Sequence, residues 1–179
     1  MGDRPPLDPP VTGPSAQVSA TAEAALGQVW AVFVAMDLGQ VLARGSGPIP
    51  AVARTSGQTG PWDVVGSARQ VHLADGSVVT EDILASDPTH GAAPSGGQAR
   101  FAYRVEGFTG PLAALTGQAF GEWTFVEVSA DRTLVTWRYR FVPRNGLVAP
   151  ILALLIGLFW RAYMRQGIEN VRRLAEAAG

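Results

Sequence analysis

The 179-residue chain contains no cysteine, and that one absence removes disulfides, thiolate nucleophiles and thiolate metal sites together. Histidine is almost missing as well: His72 and His90 are the only two. A zinc site would need a carboxylate-heavy set, and none can be assembled. Charged residues make up 16% of the chain, sum to a net charge of -1, and never gather into a block. A nucleic-acid partner is therefore not expected, because its footprint is a basic stripe or patch. No Walker loop, dinucleotide fingerprint or nucleophile elbow occurs, so the scattered glycines read as turns and no cofactor is expected. The start, Met1-Gly2-Asp3-Arg4-Pro5-Pro6, lacks the apolar stretch of a signal peptide, and the chain reads as cytoplasmic.

Apolar residues, by contrast, are plentiful at 47%. The longest uncharged apolar run, Leu147 to Trp160, spans 14 residues, whereas a membrane-spanning helix needs about 20. It reads as a buried helix. An interfacial anchor or a dimer contact is the alternative, and the chain is expected as a monomer or homodimer. Residues 1–14 hold five prolines and few hydrophobes, so they read as a disordered tail that cannot offset its ordering entropy. Residues 15–179 read as one domain.

Within that domain, Gln17 to Thr21 alternates like a first strand, and Thr21 is placed to cap a helix over Ala24–Met36. Asp37–Ala43 reads as a second short helix, ended by Gly45, Gly47, Pro48 and Pro50. From Arg54 to Pro143 short alternating runs separated by turn residues predict six strands. They are 54–59, 67–73, 78–84, 99–106, 120–128 and 133–141, with a mobile loop over Asp87–Gln98 and another loop over Pro111–Gly117. From Val148 to Ala177 a stripe of Ile151, Leu155, Leu158, Ala162, Ile168, Val171 and Leu174 predicts a long helix. Helices lie outside the strand block, so the sheet is antiparallel and the class is α+β.

The hairpin around Ala74-Asp75-Gly76 carries the most local information. A three-residue loop with Gly76 in the left-handed region sets Arg69 opposite Glu81 and Val71 opposite Val79. Arg69, Val71, Leu73, Val79, Glu81 and Ile83 then share the more apolar face, which points inward. An Arg–Glu pair meets the core there. It reads as a structural ion pair, as a polar anchor for a ligand, or, for Glu81 alone, as a proton-transfer group. A two-residue Asp-Gly turn would shift the register by one and separate the pair.

On the last strand Val135, Trp137, Tyr139 and Phe141 share one face, and Phe101, Tyr103 and Val105 do the same on another strand. Tyr103, Trp137 and Tyr139 bring polar tips into an apolar region, as a ligand cavity does. Trp123 and Phe125 would face outward if Val126 faces inward.

Several stretches together resemble the START-like (SRPBCC) superfamily, and more closely its bacterial polyketide cyclase/dehydrase-type branch. They are Trp62 with Val65-Gly66-Ser67-Ala68-Arg69-Gln70-Val71, Asp75-Gly76, Thr80-Glu81-Asp82-Ile83-Leu84, Tyr103-Arg104-Val105, and Asp131 to Tyr139 before an apolar final helix. The resemblance covers roughly residues 15–178. It implies a helix-grip fold: about seven strands curved around a long C-terminal helix, with two short helices after the first strand. It also implies a cavity between sheet and helix for a hydrophobic small molecule, lipid- or polyketide-like. Members' Arg and Glu on adjacent strands match Arg69 and Glu81. The expected cavity residues are Arg69, Val71, Glu81, Tyr103, Trp137, Tyr139 and Leu158. Binding of such a molecule is the leading expectation. A cyclase or dehydratase, and a membrane-associated or dimeric accessory protein using the final helix, are the alternatives.

Overall fold

Period-two alternation dominates the middle of the chain, and the strands it builds pair in sequence order. The computed structural model describes residues 12–88 and 96–179. After β1 (Ser15–Ala22) come α1 (Leu26–Ala35) and α2 (Leu38–Val41). Then follow β2 (Val52–Ser56), β3 (Ala68–Leu73), β4 (Val78–Asp87), β5 (Gln98–Glu106), α3 (Gly110–Leu115), β6 (Thr116–Ser129) and β7 (Arg132–Pro143). The sheet order is β1-β7-β6-β5-β4-β3-β2, antiparallel throughout. The chain ends in α4 (Ala149–Leu155), a π-helical turn (Ile156–Trp160) and α5 (Arg161–Ala177), which run on as one long C-terminal helix. α5 packs against β1, and α1 and α2 pack against α5. This is the expected helix-grip α+β architecture.

The core lies between sheet and helix. Phe33, Phe101, Phe125 and Phe141 are fully buried, and Trp123 stacks on Trp137 with ring centroids 4.4 Å apart. Asp37 accepts a hydrogen bond from the Gly39 N–H and so caps α2. Pro150 sits in the first turn of α4, where its missing N–H has no partner to lose.

Four expectations need correcting. Thr21 lies inside β1 and caps nothing; α1 starts at Leu26 behind Ala25. The loop expected over Pro111–Gly117 is α3 followed by the start of β6. Trp123 and Phe125 face inward and are buried, while Val126 takes the other face. On the final helix the buried positions are Leu152, Ile156, Trp160, Tyr163, Met164, Gly167, Ile168, Val171 and Ala175, so Ile151, Leu158 and Ala162 of the expected stripe face outward. The proline-rich tail up to Val11, and most of the Asp87–Gln98 loop with His90, lie outside the described residues. Among the described residues no helix is long and apolar enough to cross a membrane.

Candidate functional site: a tyrosine-lined cavity with a buried ion pair

The β3–β4 hairpin sets the polar side of the site. Gly76 has φ +86°, the left-handed conformation that the three-residue loop requires, and its N–H donates to the Leu73 carbonyl. Asp75 accepts from both the N–H and the hydroxyl of Ser77, which pins the turn and holds the Asp75 carboxyl below its ordinary range. With the turn fixed, Arg69 pairs with Glu81 and Val71 with Val79. The Arg69 Nε donates to Glu81 Oε2 at 2.9 Å, and Nη2 lies 2.8 Å from the same oxygen. Arg69 is 7% and Glu81 8% exposed. The guanidinium also lies over the Trp62 ring, 3.7 Å from its centroid. Such stacking leaves the cation desolvated on one side and attracted by the ring's electron-rich face. Glu81 Oε1 makes no hydrogen bond among the described residues.

Strands β5, β6 and β7 supply the opposite wall. Tyr103 pairs across the sheet with Gly121, and Gly121 with Tyr139. A side chain at Gly121 would fall on the Tyr103 ring, so this glycine makes the space in which Tyr103 lies. The Trp137 indole N–H donates to the Tyr103 hydroxyl at 3.1 Å, and the stack on Trp123 holds that indole in place. Because the Tyr103 oxygen already accepts, its own proton is free to be given to something else. Burial first, and the Glu81 charge second, push the phenols of Tyr103 and Tyr163 far above the ordinary tyrosine value. Burial raises Tyr139 in the same way, with Tyr103 next. All three tyrosines are neutral donors at physiological pH. Tyr139 and Tyr163 make no hydrogen bond among the described residues.

These walls enclose a cavity of about 180 Å³ with a mostly apolar lining. Of its lining residues Pro48, Asp75 and Thr109–Pro111 are exposed, which sets its mouth between these three segments. An apolar cavity of roughly 150 Å³ accommodates benzene, so a ring-sized apolar group fits inside, and anything larger extends through the mouth.

Six of the seven expected residues meet here: Arg69, Val71, Glu81, Tyr103, Trp137 and Tyr139 all line the cavity. Leu158 does not. It is 59% exposed on the far side of the helix, and Leu155 and Trp160 take the lining positions instead. Trp62, Gly121, Trp160 and Tyr163 were missed. Trp62 stood beside the Val65–Val71 stretch in sequence but carried no periodic signal. Gly121 carried a usable one, as a glycine set among strand residues often marks a close approach. Of the histidines, His72 sits on the outer face and shares a 2.7 Å hydrogen bond with Ser56.

Comparison with known proteins matches residues 14–176 to the protein family described as polyketide cyclase/dehydrase and lipid transport. No curated protein matches the chain in sequence. Among solved structures, the ZhuI aromatase/cyclase from a Streptomyces species aligns with a TM-score of 0.62 at 16% identity, covering 90% of this chain and 93% of that one. Norcoclaurine synthase from Thalictrum flavum, in complex with a transition-state analogue, aligns with a TM-score of 0.62 at 14% identity, covering 90% and 92%. At these identities the structural likeness shows the fold alone.

Proposed function

This chain belongs to the polyketide cyclase/dehydrase and lipid transport family, and from that premise we propose that it binds an apolar small molecule with a polar end in the cavity between sheet and C-terminal helix. The observation that carries the reading is the Arg69–Glu81 pair, buried against an otherwise apolar wall. Two desolvated charges are costly, and a core that only had to be filled would do better with hydrophobic residues. Here the pair leaves Glu81 Oε1 open, and neutral phenols stand across the space. A ligand hydroxyl can donate to Glu81, a carbonyl can accept from Tyr103, and the aromatic walls take the apolar body.

Native mass spectrometry of freshly purified protein, with organic extraction of what is bound, tests this directly. One apolar molecule per chain, displaced by an added apolar fluorophore such as anilinonaphthalene sulfonate, is the expected result. Clean apo-protein that also ignores the fluorophore would mean the space is too small or too closed to serve as a site.

A second reading, an enzyme of cyclase or dehydratase type, is favoured by one observation: Glu81, with one carboxylate oxygen free among the described residues, lines the same cavity as the hydroxyls of Tyr103, Tyr139 and Tyr163. The chain has no lysine and no cysteine, so neither a Schiff base nor a thioester can form on a side chain. The chemistry this cavity suits is proton transfer, with Glu81 taking a proton from carbon next to a carbonyl and a tyrosine hydroxyl stabilising the enolate oxygen. Glu81→Gln is then expected to abolish turnover while sparing binding, and unchanged turnover would eliminate Glu81 as the base.

A further inference from the structure

The exposed large hydrophobic residues of this molecule are not scattered. Seven stand out among the described residues, and four of them cluster: Leu147 in the turn before α4, and Ile151, Leu154 and Leu158 at the start of the C-terminal helix. Their exposures are 86%, 57%, 62% and 59%. Spacings of three and four put Ile151, Leu154 and Leu158 on one side of the helix, with Leu147 in the turn that leads into it. Trp160, on the opposite side of the same segment, lines the cavity, and so does Leu155, half-buried at the edge of the apolar face. The apolar face therefore adjoins the cavity wall, and α4 packs against α3, whose Gly110, Pro111 and Leu112 line the cavity.

The surroundings are poor in charge, and among the described residues those at the edge without an ionic partner are basic, since Glu106, beside Gly107, pairs with Arg104. Residues 107–118 and 145–160 contain no charged side chain at all. At their border stand Arg44, Arg144, Arg161 and Arg165, all exposed, and none pairs with a carboxylate among the described residues. Arg144 donates to the Ala113 carbonyl of α3, and Gln166 donates to the Arg44 carbonyl at 2.8 Å, so both arginines are tied to this end of the fold. The acid at the mouth, Asp75, is already held by Ser77.

We infer that this face docks onto an anionic lipid bilayer, seating Leu147, Ile151, Leu154 and Leu158 among the acyl chains and the bordering arginines among the headgroups. An apolar stripe flanked by arginine is the pattern of a helix that lies in the interface rather than across it. The 14-residue run is too short to span. A second copy of the chain is the poorer occupant. In a twofold contact the arginine border would meet its own image, and like charges facing each other oppose association. Docking in this orientation brings the cavity mouth to the lipid surface, where an apolar ligand can pass without crossing water. The inference goes beyond the cavity reading and stands on different residues.

Vesicle flotation tests it, using phosphatidylglycerol mixed with phosphatidylcholine against phosphatidylcholine alone. The protein is expected to float with the anionic vesicles and to release as salt rises. Leu154→Asp, at an exposed position, is expected to weaken partitioning at least about tenfold with an unchanged thermal midpoint. Arg161→Gln and Arg165→Gln are each expected to weaken it about fivefold on anionic vesicles only. A wild type that ignores both vesicle types overturns the inference, as does partitioning that Leu154→Asp leaves unchanged. A dimer seen by light scattering and split by Leu154→Asp, without vesicle binding, would assign the face to a second copy and overturn it too. Fluorophore uptake is measured without vesicles, so failure of the cavity reading and failure of the docking reading are told apart.

Discussion

Removing the Arg69 guanidinium would leave the Glu81 carboxylate charged and unpaired behind apolar walls. Breaking one side of a buried pair in this way costs roughly 3–5 kcal/mol, so Arg69→Ala is expected to lower unfolding free energy by that amount in urea titration. A loss below about 1 kcal/mol would mark the pair as solvent-screened. The double variant Arg69→Met with Glu81→Leu separates stability from function. It removes both charges and keeps the volume, so it is expected to recover most of the stability and still fail to hold the polar end of a ligand. This pair was legible in the sequence because its cause is local. A three-residue turn and a period of two fix which residues face each other, and nothing distant is needed. Trp62, which flanks the same guanidinium, was not identified as part of the site because its place depends on how a loop folds back over the sheet.

At the scale of the element, the C-terminal helix shows where sequence reading stops. A run apolar on every side has no polar face, so periodicity cannot say which side is buried. The π-helical turn at Ile156–Trp160 then spaces the buried residues by fours, Leu152, Ile156, Trp160 and Met164, where an ideal period would drift out of register. The facing of β6 stays open in the sequence for a related reason: whether Trp123 and Phe125 point inward turns on where Val126 points, and in a strand one such assignment sets every side chain. Two glycines of this helix make a paired test. A Cβ on Gly167 would lie 2.8 Å from Leu42 Cδ2 and 3.0 Å from Trp137 Cζ3, and the Trp137 ring is fixed by its stack on Trp123. Gly167→Ala is expected to lose about 1–2 kcal/mol even after the gain in helix propensity. Gly157 has open space around its Cβ position, and Gly157→Ala is expected to gain up to about 1 kcal/mol. Chemical denaturation of both variants decides the matter. Further along α5, hydrogen bonds from Arg172 hold Glu169 at about 2, down from 4.5. A depressed carboxylate stabilises the fold above the unfolded value and loses that contribution as pH falls from about 4.5 towards 2. The thermal midpoint should therefore fall across that window, and less steeply in Glu169→Gln; the effect is small because the group is solvent-screened.

For the whole molecule, the antiparallel α+β class could be read from alternation and turn chemistry, because β2 to β7 pair in sequence order and local rules add up there; the grip on the final helix and the cavity followed from the family resemblance, and β1 pairs with the distant β7. What no local rule delivers is convergence: all three tyrosines of the chain end at one cavity. That convergence has a thermodynamic consequence. In the unfolded chain a tyrosine ionises near its ordinary value of 10, whereas in the native cavity burial keeps all three protonated well beyond it. Above pH 10 the unfolded chain therefore binds fewer protons than the native one, and stability must fall as pH rises. Each tyrosine contributes a slope of about 1.4 kcal/mol per pH unit, or about 4 for the three together. Ultraviolet titration of tyrosinate is expected to show none forming until near-ultraviolet circular dichroism is lost, with both changes falling together in one steep step. Tyr163→Phe should make that step about one-third shallower. A bound apolar ligand at a hundred times its Kd adds about 2.7 kcal/mol and moves the step to higher pH. Tyrosinate appearing gradually near pH 10 in protein that is still folded would mean that the cavity is open to water, and the buried-phenol account of the site would fail with it.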